Sequence, residues 1–267
     1  MRKIIEDEEL KATILNILSD VADFCTRKQI RYYLVCGTAL GAVRHNGFIP
    51  WDDDIDIGIP RPDYERFLAE YQSAKYYLCS SKKDPNYPYP FAKVCDPRTE
   101  LIEKIAHPYK LGVYIDVFPI DGLPSNPQKL KKHLKKIAWD QRLLTWKRLD
   151  NNRKEKTKYK ILHGFAKLFL AFIPISFLVR IVDKHLSVYP YDSSENVGHL
   201  VTKAYWGQDV KPHHIFEKPV PHKFEDRVFL LPGDYDMYLR LEYGDYMTLP
   251  PKEKQVSNHD FSAYWIE

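Results

Sequence analysis

The chain has 267 residues, of which 44% are hydrophobic and 28% are charged, a composition that excludes an intrinsically disordered protein. Its formal net charge is +4, but residues 129–160 alone contain thirteen lysines or arginines and three acids. Such a basic segment indicates either an anionic partner, such as a membrane surface or a nucleic acid, or a solvated helix face. No nucleic-acid reading or stacking motif accompanies it, so we do not expect a nucleic-acid partner.

The four cysteines, at positions 25, 36, 79 and 95, are not spaced as a C-x-x-C pair or as a zinc ligand set. This spacing favours free thiols in a reducing cytoplasm. The first residues, MRKIIEDEELK, lack the apolar segment of a signal peptide, which also predicts a cytoplasmic protein.

Hydrophobic spacing predicts a mixture of helices and strands over residues 1–125. In chain order, the predicted elements are a helix at 8–28, a strand at 32–36, a short helix at 39–44, a strand at 53–59, a helix at 63–72, and strands at 76–79, 91–95 and 113–118. We expect these elements to form one sheet with flanking helices and to make up the catalytic core.

Residues 126–186 differ in character, with a basic helix predicted at 126–150 and an apolar helix at 158–186. The apolar stretch LFLAFIPISFLV, at 168–179, is too short to cross a bilayer and contains Pro174. It is typical of either a buried pair of helices or a segment that dips into the cytoplasmic leaflet. Residues 187–267 are predicted to be rich in loops up to a last helix at 235–243, and to complete the site.

Four aspartates stand within five positions of the stretch WDDDIDIGI. If the whole stretch is a strand, alternate side chains point to opposite faces. One face then carries Asp52, Asp54, Asp56 and Gly58, and the other carries Asp53, Ile55, Ile57 and Ile59. We expect the isoleucine face to lie in the hydrophobic core, with Asp53 in a structural role. We expect the aspartate face to form a divalent metal site. Ligands that are all oxygen favour Mg²⁺ or Mn²⁺.

The segment GVYIDVFPID supplies a third candidate, Asp116, in the middle of an apolar strand. A buried carboxylate without a partner is costly there, so Asp116 lies either beside Asp54 and Asp56 or in a structural ion pair. An EF-hand is excluded, because its loop needs Gly and Glu where Ile57 and Asp63 stand. The D-x-D motif of a sugar-nucleotide glycosyltransferase also fits this short stretch.

Upstream of the aspartates, a strand that ends in Gly37 and Thr38 and continues into a short helix can direct backbone N–H groups and a hydroxyl at a phosphate. Arg44 lies on that helix and could reach the same phosphate. Lys93, in PFAKVCDPRTE, is a second phosphate candidate, or else an exposed strand lysine.

Three stretches together resemble the LicD family closely: CGTALGAVRHNGFIPWDDDIDIGIPRPDYERF, YIDVFPIDGLP and YDMYLRLEYGDYMTLPP. The resemblance implies an α+β fold, in which a nucleotidyltransferase-like mixed sheet with flanking helices carries a helical, basic and apolar insertion. It also implies transfer of phosphocholine from CDP-choline to a sugar hydroxyl of a lipid-linked polysaccharide or teichoic acid precursor, with release of CMP.

On this chain, the implied catalytic and metal-binding residues are Asp54, Asp56 and Asp116, with Mg²⁺ or Mn²⁺ as the cofactor. Asp116 is the expected base for the acceptor hydroxyl. The implied substrate-binding residues are Gly37, Thr38, Arg44, Trp51, Lys93 and His259. Trp51 is a candidate for an aromatic box around choline, because aromatic faces bind quaternary ammonium groups.

The nature of the transferred group stays open at this point. The donor could instead carry CDP-linked ribitol, glycerol or another sugar phosphate, or the chain could be a true nucleotidyltransferase that retains the nucleoside half. A non-catalytic scaffold is disfavoured, because it would not need three clustered aspartates. A lipid-linked acceptor and the basic segment together predict a cytoplasmic protein bound at the anionic inner face of the cell membrane.

Overall fold

A computed structural model of the chain describes residues 2–103, 109–148, 170–201, 209–257 and 261–266. Its centre is a seven-stranded mixed sheet in which five strands follow the order β2-β3-β7-β5-β4, and β8 and β9 extend it from the second half of β7. The strands of this sheet are β2 (Tyr33–Leu34), β3 (Asp56–Pro60), β4 (Tyr77–Cys79), β5 (Ala92–Cys95), β7 (Tyr114–Leu123), β8 (Asn196–Gly198) and β9 (Lys211–Pro212). The predicted α+β fold with a mixed sheet is confirmed.

Smaller sheets flank the central one. A three-stranded antiparallel sheet has the order β1-β12-β6, and a hairpin joins β10 to β11. Their strands are β1 (Arg2–Ile4), β6 (Thr99–Glu103), β10 (Val220–Phe224), β11 (Arg227–Leu231) and β12 (Phe261–Ile266). The helices of the described residues are α1 (Asp7–Lys28), α2 (Cys36–His45), α3 (Arg61–Glu70), α4 (Pro127–Arg148), α5 (Ile175–Leu186) and α6 (Tyr235–Tyr243), with short 3₁₀ turns at His213–Phe216 and Lys252–Lys254.

The parallel pair β3 and β7 forms the middle of the sheet. Strands that are covered on both faces are nearly continuous apolar runs, and Ile57, Ile59, Ile115 and Val117 are all fully buried. Two aspartates interrupt these runs, and the parallel register places them side by side as the pair Asp56 and Asp116. The fold therefore brings the two acidic strands predicted from the sequence into direct contact.

The chain enters β3 later than the hydrophobic pattern predicts. The predicted strand starts at residue 53, whereas β3 starts at Asp56. The preceding residues leave the sheet because a turn bonds the Asp52 N–H to the Ile49 carbonyl at 2.9 Å, and because the Asp56 N–H donates to Thr38 Oγ1 at 2.8 Å. Strand alternation therefore does not apply to residues 52–54.

Helix α2 also differs from its prediction, since it begins at Cys36 where the sequence pattern continues the strand. Cys36 has a left-handed backbone, with φ of 50°, which turns the chain sharply out of β2. Helices α1, α3, α4 and α6 match their predicted bounds within two residues.

Seven of the twelve strands in the described residues were not predicted, including the two-residue strand β9. The hairpin between β10 and β11 turns on Glu225 and Asp226, whereas the usual two-residue turns contain Asn-Gly or Gly. Strands β6 and β12 pair residues 99–103 with residues 261–265, a contact that local sequence patterns do not reveal. Strands β1 and β8 are only three residues long, too short for a periodic pattern.

Helices α4 and α5 pack against each other and form the described part of the helical segment. The inner face of α5 is buried through Leu178, Val179, Val182 and Leu186. The single apolar helix predicted at 158–186 is wrong over 171–174, where the chain turns and Pro174 precedes the start of α5. Its first part, at 158–169, lies outside the described residues. Among the helices that the structure describes, none combines the length and the apolarity needed to cross a membrane. The division into a core, a helical segment and a C-terminal part stays a prediction.

Candidate active site

The site is built around Asp56 and Asp116, which face each other across the β3–β7 pair. Asp56 is only 9% exposed, and its pKa lies well above the ordinary value. Burial is the largest cause, followed by the negative charges of Asp54, Asp116 and Asp52, while Lys93 acts in the opposite direction. The structure therefore gathers all three predicted catalytic aspartates, together with Asp52, into one acidic centre.

The loop before β3 completes this acidic centre. Asp52, Asp53 and Asp54 each place one carboxylate oxygen within 4.8 Å of the others. Asp53 also accepts a hydrogen bond of 2.7 Å from the Ser257 hydroxyl, which links the C-terminal part of the chain to the site. The prediction that Asp53 points away from its neighbours is wrong, because residue 53 precedes the strand and is not bound by its alternation.

Lys93 lies opposite Asp116 in the antiparallel register of β5 and β7. Its Nζ is 2.5 Å from Asp116 Oδ1 and 3.4 Å from the centroid of the Tyr114 ring. The side chain is only 2% exposed, so the reading of Lys93 as an exposed strand lysine is wrong. A buried ammonium at this distance forms an ion pair with Asp116 and offsets part of the negative charge of the centre.

The glycine turn at the start of α2 supports the acidic centre directly. A side-chain carbon on Gly37 would come within 2.7 Å of Asp52 Oδ2, so a larger residue there would push Asp52 away. Thr38 is buried, and its Oγ1 accepts the Asp56 N–H. Both residues therefore position carboxylates. Phosphate binding by Gly37 and Thr38 remains a prediction.

Arg44 leaves α2 toward the C-terminal part of the chain. Its Nη1 donates to the Tyr246 carbonyl at 2.9 Å, and its Nε donates to His45 Nε2 at 3.0 Å. Trp51 is half-buried and packs edge-to-face on the His45 ring, with centroids 6.3 Å apart. The roles predicted for Arg44 and Trp51 in substrate binding stay predictions, and His259 lies outside the described residues.

One residue of the site escaped the sequence reasoning. Tyr243, at the end of α6, has a pKa raised well above its ordinary value, first by burial of the phenol and then by negative groups that include Glu242, Asp56 and Asp52. Its hydroxyl therefore lies in the field of the acidic centre, although the residue as a whole is 39% exposed. The only signal for it was its place in the stretch YDMYLRLEYGDYM.

A second polar cluster lies beneath the glycine turn. Cys36 Sγ is 3.4 Å from His199 Nε2, and the Cys36 N–H donates to the Tyr238 hydroxyl at 3.0 Å. His199, Asp209 and Glu242 place ligand-type atoms within 4.8 Å of one another, but the ammonium of Lys211 contacts Glu242 at 2.7 Å. The contacts of Cys36 with His199 and Tyr238 connect the start of α2 to the C-terminal part of the chain.

Comparison with known proteins gives two kinds of match. The family described as LicD/FKTN/FKRP, nucleotidyltransferase domain, matches residues 29–121, which include Gly37, Lys93 and the acidic centre. The chain is 32% identical over 279 aligned positions to the lipopolysaccharide cholinephosphotransferase LicD of Haemophilus influenzae, with 99% of each protein covered.

Shorter matches involve two uncharacterized proteins. The protein of Rickettsia typhi is 35% identical over 78 residues, which cover 28% of this chain and 25% of that protein. The protein of Rickettsia prowazekii is 37% identical over 67 residues, which cover 24% of this chain and 25% of that protein. The full-length match and the family match agree with the motifs described above. The family prediction is confirmed, and the chain belongs to the LicD family.

Proposed function

We propose that the chain transfers phosphocholine from CDP-choline to a sugar hydroxyl of a lipid-linked glycan, such as a lipopolysaccharide or teichoic acid precursor, and releases CMP. The name of the Haemophilus influenzae relative, lipopolysaccharide cholinephosphotransferase, supports this reaction, because the two chains align over nearly their whole lengths. The observation that carries the proposal is the acidic centre, in which Asp56 and Asp116 lie side by side in the middle of the sheet.

The donor atoms of the centre fit a divalent metal ion. They are carboxylate oxygens, which Mg²⁺ and Mn²⁺ prefer, and burial together with the neighbouring negative charges raises the pKa of Asp56. We propose that Asp54, Asp56 and Asp116 hold the ion. When bound, such an ion neutralises the charge that develops on the diphosphate of the donor.

The chain's own residues supply the other parts of the reaction. Asp116 accepts the proton of the acceptor hydroxyl, and the ammonium of Lys93, 2.5 Å from its carboxylate, orients this side chain. Gly37 and Thr38 present the glycine turn to the diphosphate, and Arg44, Trp51 and His259 complete the donor site. The C-terminal part of the chain already reaches this region through the bond from Ser257 to Asp53.

Product analysis tests the proposal and separates it from its alternatives. We expect purified protein with CDP-choline, MgCl₂ and a lipopolysaccharide oligosaccharide to release CMP and to attach phosphocholine to the glycan. Release of pyrophosphate from CTP and a sugar phosphate would identify a nucleotidyltransferase instead. Parallel reactions with CDP-ribitol and CDP-glycerol compare the transferred group, and a kcat/KM at least tenfold higher with either of them would overturn the choline assignment.

Chelation by EDTA is expected to stop the reaction, and added Mg²⁺ or Mn²⁺ is expected to restore it.

We also propose that the helical segment docks on the anionic inner face of the cell membrane. Helix α4 carries a run of lysines, and large apolar side chains are exposed close to it, with exposed fractions of 53% for Trp139, 86% for Phe172 and 54% for Phe177. Lysines near an anionic surface contribute about 1 kcal/mol each, and exposed aromatic side chains favour the membrane interface.

Charge reversal on α4 is expected to weaken binding to phosphatidylglycerol vesicles at least tenfold in a sedimentation assay. The variant changes four exposed residues to Glu, namely Lys131, Lys132, Lys135 and Lys136. A matched control reverses four exposed lysines elsewhere, namely Lys75, Lys83, Lys218 and Lys223, and so has the same net charge. Equal losses in both variants would mean that net charge alone governs binding and that α4 is not the docking surface.

A further inference from the structure

A cavity of about 550 Å³ opens between the loop that leads into β5 and the C-terminal half of α4. Tyr89 and Phe91 line it on the loop side, and Arg142, Trp146 and Arg148 line it on the helix side. Its size suits a saccharide unit with a charged substituent. None of the residues assigned above to the metal, the donor phosphates or choline contributes to it.

The cavity adjoins the acidic centre through two aromatic rings. The ring centroids of Tyr89 and Phe91 lie 4.8 Å and 5.3 Å from Lys93 Nζ. The same ammonium is 2.5 Å from Asp116 Oδ1. A ligand held against these rings is therefore only one side chain away from the carboxylate that is proposed to activate the acceptor.

The sheet order separates this cavity from the glycine turn. In the strand order β2-β3-β7-β5-β4, the acidic pair lies on β3 and β7. The glycine turn follows β2 and lies next to β3, whereas the cavity lies at β5, next to β7. Phosphoryl transfer needs the attacking and leaving oxygens roughly in line on opposite sides of the phosphorus. If the donor's CMP half occupies the side of the glycine turn, the attacking hydroxyl enters from the side of the cavity.

The lining has the chemistry of a site for a phosphorylated sugar. Guanidinium groups bind phosphate through paired hydrogen bonds, and aromatic faces present flat apolar surfaces to sugar rings. The guanidinium of Arg148 lies 4.0 Å above the Tyr89 ring, which holds the charge and the aromatic surface together.

We propose that this cavity binds the acceptor glycan, with Arg142 and Arg148 recognising a phosphate joined to the sugar and Trp146 contacting the sugar ring, over a floor formed by the buried rings of Tyr89 and Phe91. The inference rests on the proposed function and adds the acceptor side of the same site to it. The phosphate could be a substituent of the glycan or the diphosphate that links it to a lipid, since both present the same chemistry to an arginine pair.

Steady-state kinetics on the full chain tests the proposal. Arg142→Gln and Arg148→Gln are each expected to raise the KM for a phosphate-bearing lipopolysaccharide oligosaccharide at least tenfold, while the KM for CDP-choline stays within twofold. Arg148→Lys, which keeps the charge but not the planar guanidinium, should give an intermediate acceptor KM.

The control variant Lys218→Gln/Lys223→Gln removes two exposed charges at or just before the β10–β11 hairpin and should change neither KM. Melting temperatures show whether each variant folds.

The acceptor itself supplies the second comparison. The wild-type chain should prefer the phosphorylated oligosaccharide over its phosphatase-treated form at least tenfold, and both arginine variants should lose this preference. A preference seen only with glycan on a lipid diphosphate supports the cavity and assigns its phosphate to the lipid linkage. If both arginine variants keep the wild-type acceptor KM, the acceptor site is overturned, even though CMP release continues. If the wild-type chain releases no CMP from CDP-choline with or without acceptor, the proposed function fails and this inference fails with it.

Discussion

Replacement of Asp56 with Asn is expected to lower phosphocholine transfer at least a thousandfold and to leave the melting temperature unchanged or higher. The carboxylate lies at the middle of the acidic centre, so its removal takes away a proposed metal ligand, and a thousandfold loss corresponds to about 4 kcal/mol of transition-state stabilisation. Without bound metal, the same change relieves repulsion from Asp54, Asp116 and Asp52. Activity falls, therefore, while the fold becomes no weaker.

Two measurements check this expectation, namely the rate of CMP release and thermal unfolding in EDTA. The combination matters because a variant that loses activity by unfolding would lose both. An Asp56→Asn protein with more than a tenth of wild-type kcat would refute the role of the acidic centre. A protein that melts well below wild type in EDTA would instead mean that the carboxylate stabilises the fold.

The second large effect is expected at Asp121, which is also on β7 but serves stability. Its two carboxylate oxygens accept from Arg61 Nε at 2.6 Å and Nη2 at 2.9 Å, and its side chain is fully buried. Loss of Asp121 leaves the buried guanidinium of Arg61 with only the more exposed carboxylates of Asp183 and Glu65 as partners, at a cost of about 3 kcal/mol. Asp121→Asn should therefore lower the free energy of unfolding by that amount in urea titrations.

The matched control uses the same arginine. Asp183 also accepts from Arg61, at 2.8 Å, but its side chain is 30% exposed, so solvent screens the interaction. Asp183→Asn is expected to cost about 1 kcal/mol or less. Equal losses at Asp121 and Asp183 would show that burial does not govern the strength of this network.

The sequence was sufficient for the parts of the fold that are written in local patterns. Helix α6 ends where its apolar spacing ends, and the isoleucines of β3 are buried as alternation predicts. The high cost of burying an isolated carboxylate predicted that Asp116 lies beside the other aspartates or in an ion pair, and the structure shows both, with Asp56 opposite it in the register and Lys93 as its ion-pair partner. That argument is physical and does not depend on knowing the topology.

Other parts of the site depend on contacts that no local pattern encodes. Lys93 is buried because its ammonium is enclosed by Asp116 and the Tyr114 ring, and neither residue is near it in the sequence. Asp53 joins the acidic centre because the turn at 49–52 delays the start of β3 until Asp56. Tyr243 reaches the same centre from the C-terminal helix, nearly 200 residues later.

Strand β7 carries two aspartates that each close a buried ion pair, Asp116 with Lys93 and Asp121, five residues later, with Arg61. Asp56, on the neighbouring strand, lies instead among the repelling carboxylates of Asp54, Asp116 and Asp52. Selection for abundance alone would therefore preserve both acids of β7 and tolerate a neutral residue at position 56. Selection for transfer would preserve all three. A population of variants scored for both traits would separate a position that limits evolution through activity alone from two that also limit it through folding.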